Sequence, residues 1–445
     1  MNRKDWGPRP TAVPGWGAAC LAALGMIGPG ISAGQGPAPA APKAEASTSP
    51  TGRTPYDPEQ ARKTVAFWKA GADRDPRGAL ELRELASAYL ALGRETGDIA
   101  DAVRAEDAAR RSMKILPRGN SPAAIRLARA LLAQHRFPEA LEVALATAAI
   151  DPQATRLVAD IRLELGDYDA AARALDAVPV ESDDMNYKAL RARFEEIDGK
   201  PDRSLQLMRE AGRLADERPD MPAETAAWYH TMIGHALIDS GKLDEGERAC
   251  RRALEIFPRD YRAMTGMAEA ATWRGDHRGA IDWGRRAIGV APQNPEALRL
   301  IGDAHAAMGE TREADEQYRL LEALAHSFPR IYDRHWALFC LDNGRDLDGA
   351  LALAREDLGL RHDIHAYDTL AWACLKKGLY PEADRMMEKA LARGTQEASL
   401  FHHAGIIARA VGDKARADSF LARAQALNPY LMKAVEGTSK PPSSK

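Results

Sequence analysis

Two consecutive 34-residue phrases decide the fold: residues 234–267, GHALIDSGKLDEGERACRRALEIFPRDYRAMTGM, and residues 268–301, AEAATWRGDHRGAIDWGRRAIGVAPQNPEALRLI. Laid one over the other, they match small residue for small residue (Gly234 with Ala268, Gly246 with Ala280), glycine for glycine (Gly241 with Gly275), alanine for alanine (Ala253 with Ala287) and proline for proline (Pro258 with Pro292). Each phrase is an apolar helical stretch, a glycine followed by charged residues, a second helical stretch with spaced alanines, and a proline. The physical sense is direct. A glycine ends a helix in the left-handed conformation without strain, small residues let two helices cross at close approach, and proline cannot continue the second helix.

The phrase extends in both directions. Gly166, Gly199, Gly241, Gly275, Gly309, Gly344, Gly378 and Gly412 are spaced by 33, 42, 34, 34, 35, 34 and 34 residues. With each glycine set as position 15, position 8 is small throughout (Ala159, Ala192, Gly234, Ala268, Gly302, Ala337, Ala371, Gly405). Position 20 is equally small (Ala171, Ser204, Gly246, Ala280, Ala314, Gly349, Ala383, Ala417). Position 27 is alanine at 211, 253, 287, 390 and 424. Pro152, Pro258, Pro292 and Pro429 fall where second helices should stop. This period and phase resemble the tetratricopeptide repeat. The resemblance implies an all-α, right-handed α-solenoid of about ten helix-turn-helix repeats over residues 80–432.

Two less regular copies precede Gly166. In one, Ala128, Phe137, Ala140 and Pro152 keep their offsets with His135 in the glycine's place; in the other, Ala86, Gly93, Ala105 and Pro117 fit if the turn around ETGDIAD carries about seven extra residues. Residues 57–79 read as an N-terminal capping helix opened by Asp57-Pro58-Glu59. The long interval between Gly199 and Gly241 predicts an irregular joint near 199–241, with longer helices or a longer connection around DERPDMP, and Asp346 reads as a one-residue insertion.

At 445 residues the chain exceeds what one hydrophobic core organises, and 6% aromatics with Ala-rich helical stretches suits a repeat array. A formal charge of -3 argues against a general nucleic-acid binder, which needs a basic stripe. Arg3, Lys4 and Arg9 precede the apolar run WGAACLAALGMI at 16–27, the layout of a secretory signal over residues 1–33 cleaved near Ala33. An uncleaved anchor and lipidation at Cys20 are the alternatives. Residues 34–56 read as a flexible Pro/Ala/Ser-rich tether and 433–445 as a disordered tail. The short signal and Ala/Arg-rich repeats suggest a bacterial, periplasmic or secreted protein without a transmembrane helix once mature. Cys250, Cys340 and Cys374 form neither a disulfide framework nor a thiolate zinc site, and Cys340 and Cys374, at position 11 of neighbouring repeats, should stand too far apart to bridge.

No phosphate loop, His-Glu-x-x-His, Gly-x-Ser-x-Gly or dinucleotide motif occurs. His362, His365, His402 and His403 are close enough in sequence phase for an imidazole cluster, but nothing fixes an acidic ligand beside them, and no cofactor or metal is expected. The acidic pairs Glu195-Glu196 and Asp183-Asp184 read as solvated faces and caps.

In the family that the repeats resemble, first helices line a concave groove, with positions 2, 5, 9, 12 and 13 often facing a ligand. The resemblance therefore implies partner-binding roles for Trp228, His235, Trp273, Arg299, Asp303, Arg334, His365, Asp368, Trp372, His402 and Arg409. Aromatic and arginine side chains are the usual anchors, although Trp228 and Trp372 suit interhelical packing equally. Arg156 with Asp160, and Arg299 with Asp303, stand where relatives that read acidic chaperone tails carry Lys and Asn, so that role is not expected. The expected function is a non-catalytic scaffold holding a partner protein segment. The alternatives are a binder of glycan or envelope polymer and a metal-dependent enzyme at the His365/His402 region.

Overall fold

A computed structural model describes Arg53 and residues 56–151, 153–178 and 184–431. The expected signal peptide, most of the tether, Pro152, Asp183 and the tail from 433 lie outside the described residues.

The described residues form helices joined by short turns. A single helix, α1 (Gln60–Arg74), precedes ten antiparallel pairs. The first five are α2 (Ala79–Thr96) with α3 (Ile99–Ile115), α4 (Ser121–Ala133) with α5 (Phe137–Ala148), α6 (Ala154–Leu165) with α7 (Tyr168–Asp176), α8 (Met185–Ile197) with α9 (Pro201–Asp216), and α10 (Ala223–Asp239) with α11 (Leu243–Ile256). The second five are α12 (Tyr261–Arg274) with α13 (His277–Val290), α14 (Pro295–Ala307) with α15 (Thr311–Ser327), α16 (Asp333–Asp342) with α17 (Leu347–Leu360), α18 (Ile364–Lys376) with α19 (Tyr380–Leu391), and α20 (Ala398–Ala410) with α21 (Lys414–Leu427).

The small positions do what their spacing implied. Ala159, Ala192, Ala268, Ala337 and Ala371 at position 8 are fully buried, as are Ala171, Ala280, Ala383 and Ala417 at position 20. Where position 8 is glycine, the second helix comes closer still. A Cβ on Gly302 would stand 2.4 Å from the Tyr318 ring, and one on Gly234 would stand 2.5 Å from Cys250 Sγ. His135 adopts the glycine's left-handed conformation, φ 56°.

Of three irregularities in the repeat pattern, the first resolves differently from its reading in the sequence. The seven extra residues of the first repeat do not enlarge its turn. They lengthen α2 and α3 to 18 and 17 residues, about one additional turn on each, and the terminating glycine is Gly97, not Gly93. The 42-residue interval is likewise absorbed mainly by helix, with α9 and α10 at 16 and 17 residues around the connection 217–222. The inserted Asp346 becomes the N-cap of α17, accepting from Gly349 N at 3.1 Å. The capping helix starts at Gln60, three residues after Asp57.

Two residues at the end of the expected tether are described, and both are docked. Arg53 is buried and donates to the carbonyls of Met221, at 3.0 Å, and Ala215. Tyr56 packs edge-on against Phe257 and donates to Glu95 at 3.0 Å. They fasten the chain across the irregular joint.

First helices pack on the first helices of neighbouring repeats as well as on their own partners, whereas second helices do not pack on one another to a comparable extent. The first helices therefore run at the shorter radius and form the inner wall. Burial agrees: eleven of thirteen residues of α14 are buried, against four of fourteen in α13.

The superhelix closes on itself. The turn of each of the first five repeats rests on the loop that ends the repeat five further along. Gly97 meets Ala291, His135 Nδ1 lies 3.1 Å from the Arg330 carbonyl, and His362 N donates to Leu165 O at 2.8 Å. Arg393 reaches Asp198 at 2.7 Å while Thr395 donates to Ile197 O at 2.5 Å. Asn428 donates to Asp239 O at 3.1 Å. These contacts make a continuous seam between successive superhelical turns.

Candidate functional site

The inner wall carries charge where an inert core would be apolar. Position 9 of successive repeats reads Arg129, Asp160, Arg193, His235, Glu269 and Asp303, and helix stacking sets neighbouring members side by side. Arg193 donates to Asp160 at 2.9 Å and to Glu164 at 2.5 Å. His235 Nδ1 lies 3.8 Å from Glu269. Arg129 makes no ion pair among the described residues, and burial together with Arg94 and Arg126 pushes its guanidinium down to about 10. Removing one partner of a buried ion pair strands the other at a cost of about 3–5 kcal/mol, so the paired members are fixed features of the wall.

Most residues placed in the groove by sequence lie on this wall and are enclosed by it. Arg299, 1% exposed, donates to Glu296 and to Asp303 at 2.6 Å, and Asp303 also accepts from Tyr318 at 2.8 Å. Arg299 and Asp303 thus pair along one helix, whereas Arg156 bonds Asp184 and not Asp160. Burial alone would lower the Arg299 guanidinium, but Glu296 and Asp303 outweigh it and hold it above its ordinary range. Arg334 donates to Asp357 at 2.9 Å and to Asp363 at 3.0 Å. Arg361 joins the same carboxylates and lies 3.8 Å from Glu164 across the seam. Trp228 is buried edge-on to Tyr229. His235 and Trp273 are buried on adjacent helices.

A second group gathers in the last three repeats. The Trp372 ring stacks on His403 at 4.1 Å, its indole donates to Asp342 at 2.8 Å, and Lys376 Nζ lies over the ring at 4.6 Å from its centre. Asp368 lies 2.9 Å from His403 Nδ1. Burial opposes a charge on His403, yet Asp368 outweighs it and raises the imidazole. His402 is buried with neither ring nitrogen bonded, and desolvation followed by the nearby His403 pushes it down to about 3. His365 stands 3.8 Å from Glu397. Arg409, in the last turn of α20, is exposed.

Of the four histidines considered as metal ligands, three have separate partners, and neither ring nitrogen of His402 is bonded. His362 faces Tyr367, His365 faces Glu397, and His403 is held between Asp368 and Trp372. Among the described residues, no group of three or more His, Cys, Asp or Glu side chains is arranged to hold a metal ion. Cys250, Cys340 and Cys374 are buried free thiols.

Asp239 and Glu269 were not singled out by the sequence, and the Glu195-Glu196 pair, read there as a solvated face, is instead packed away from solvent. Asp239, Glu269 and Glu196 occupy groove positions (13, 9 and 12), so applying the same phase to every repeat would have found them. Burial and Glu397 raise Glu196 to about 7. Asp239 is raised well above the carboxylate range by burial and by Glu269, Glu397, Glu196 and Glu296. A small cavity of about 40 Å³ sits at the seam beside Gly97, Tyr261 and Asn294. A larger hollow of about 530 Å³ lies outside, between α9 and α11, lined by charged residues including Arg209 and Glu245.

Among known families, the tetratricopeptide repeat model matches residues 125–186 and 231–295. No curated protein matches this chain. Among solved structures, a chain of the APC/C hetero-tetramer Cut9-Hcn1 is 13% identical, with 86% of this chain and 94% of that one covered and a TM-score of 0.34. The human IFIT1 dimer with PPP-AAAA is 13% identical, with 84% and 95% covered and a TM-score of 0.44. The human IFIT1 dimer with m7Gppp-AAAA is 15% identical, with 83% and 86% covered and a TM-score of 0.45. Tetratricopeptide repeats are thus matched at residues 125–186 and 231–295, within an all-α solenoid, and such repeats generally serve protein-binding scaffolds and not catalysis. No helix among the described residues is long and apolar enough to cross a membrane.

Proposed function

We propose that this protein is an exported bacterial scaffold, working outside the cytoplasmic membrane, that holds a segment of a partner protein against its inner wall. The observation that carries this reading is the ladder of charged and aromatic side chains at the wall positions from Arg129 to Asp303 and on to Trp372. Burying such groups costs folding free energy, about 1–3 kcal/mol for each polar group left unbonded. A surface selected only to fold would carry apolar side chains there.

The mechanism is steric presentation. A wall whose side chains are already held by ion pairs loses little conformational freedom on binding, so affinity derives from pre-organisation. Entry is at the open end of the last repeat, where Arg409 is exposed, or through the seam when its contacts release. A photoreactive residue at position 409 in the full chain should crosslink in intact cells to a defined protein, and the same residue at the outer position 209 should not. Indistinguishable products from the two positions would count against the scaffold reading. Export has a separate check: residues 1–45 fused to a reporter active only after translocation should give signal, and a silent reporter rejects it.

A further inference from the structure

Four residues at positions 9 and 13 of two adjacent repeats form a square on the inner wall: His235 and Asp239 on α10, Glu269 and Trp273 on the neighbouring α12. Residues four apart lie one above the other on a helix, and α10 packs directly on α12. Each corner keeps buried polar atoms without a hydrogen-bond partner: His235 Nδ1, both Asp239 oxygens, both Glu269 oxygens and Trp273 Nε1. Glu269 is 0% exposed and His235 3%.

The chemistry of the square is one-sided. His235 Nε2 lies 3.0 Å from the Arg262 carbonyl, so it donates there, and Nδ1 stands 3.8 Å from Glu269. Four carboxyl oxygens and His235 Nδ1 lack a partner here, and the indole N–H is the one fixed donor beside them. No lysine or arginine of this chain makes an ion pair with Asp239 or Glu269 among the described residues. Arg299, whose field reaches Glu269, bonds Glu296 and Asp303. Glu196, Glu397 and Glu296 add negative potential around Asp239. The missing complement is a compact cation with several N–H donors, and an indole face beside the carboxylates suits the same group.

We propose that this square receives a primary ammonium group, the side chain of a lysine carried by the bound segment. The inference rests on the scaffold reading above and names the chemistry that the segment must bring. An ammonium supplies three donors from one point, to be shared between the carboxyl oxygens of Glu269 and Asp239.

The test uses the full chain and three 13-residue Gly/Ser/Ala peptides that differ only in a central Lys, norleucine or Glu, with spermidine as a free amine. The Lys peptide should bind at least tenfold more tightly than the norleucine peptide, and the Glu peptide should bind least. In Asp239→Asn/Glu269→Gln the preference for Lys should vanish while the melting temperature stays level or rises. A residue with a merely structural role would lower it. If the double variant does not fold, Glu269→Gln alone carries the measurement. Equal binding of Lys and norleucine peptides overturns the inference and leaves the scaffold reading standing. Binding of spermidine without the Lys peptide overturns the assignment to a partner's side chain. Binding of no probe overturns the inference outright, and the crosslink at position 409 then decides whether the scaffold reading falls with it.

Discussion

At the scale of single residues, the wall is governed by whether each buried charge has a counter-charge. Arg299 and Arg334 are bonded on two sides; Glu196 is not. Because burial and Glu397 raise its folded pKa to about 7, Glu196 favours the folded state while protonated. That contribution is complete below the ordinary carboxylate range and is lost as pH rises toward about 7. Glu196→Gln does not titrate. Its stability relative to the unmodified chain should therefore rise by about 1–3 kcal/mol between about pH 5 and pH 8 in urea-melt measurements. A difference that stays constant across that range would show that Glu196 is ordinarily ionised in the fold.

At the scale of helices, complementarity of size across each pair sets the crossing. In the seventh repeat Gly302 faces Tyr318, whose hydroxyl is itself bonded to Asp303. Gly302→Ala places a methyl 2.4 Å from the ring, so it should destabilise the chain by about 1–3 kcal/mol in a thermal or denaturant melt. Adding Tyr318→Ala should make the pair of changes less costly than their separate effects combined. The helices themselves were legible in the sequence because small residues recur in phase with glycine and proline. What the phase did not disclose was how extra residues are taken up. Around ETGDIAD an added turn on both helices keeps backbone hydrogen bonds that a long loop would leave to solvent, so helix extension won over turn extension. The wall residues were legible by position, yet their enclosure was not. Positions 5 and 9 predict that Arg299, His235 and Trp372 face inward. They do not say that a turn of the superhelix five repeats away shuts the wall off, because that depends on small rotations accumulated over many repeats.

At the scale of the whole molecule, the seam decides access to the wall. Tyr168 is the clearest single contributor: its hydroxyl accepts from the buried Ile364 N at 2.8 Å, satisfying an amide at the start of α18 that has no partner within its helix. Tyr168→Phe should cost about 1–3 kcal/mol. It should also hasten hydrogen exchange at Ile364 and at His362, whose amide bonds Leu165 across the same seam. Unchanged exchange at those two amides would mean that the seam opens readily without the substitution.

Closure of the seam also bears on how the chain acquires its structure. An open repeat array, in which each unit touches only its neighbours, folds and melts piecemeal and tolerates loss of terminal units. Here His362 with Leu165, Arg393 with Asp198 and Asn428 with Asp239 join residues 189 to 197 positions apart. Ordering such contacts requires closure of long loops, so the N-terminal repeats reach their final stability only after the C-terminal ones exist. The protein should therefore behave as one cooperative unit, and removing residues 398–431 should weaken the fifth repeat, far off in sequence, as well as the ninth.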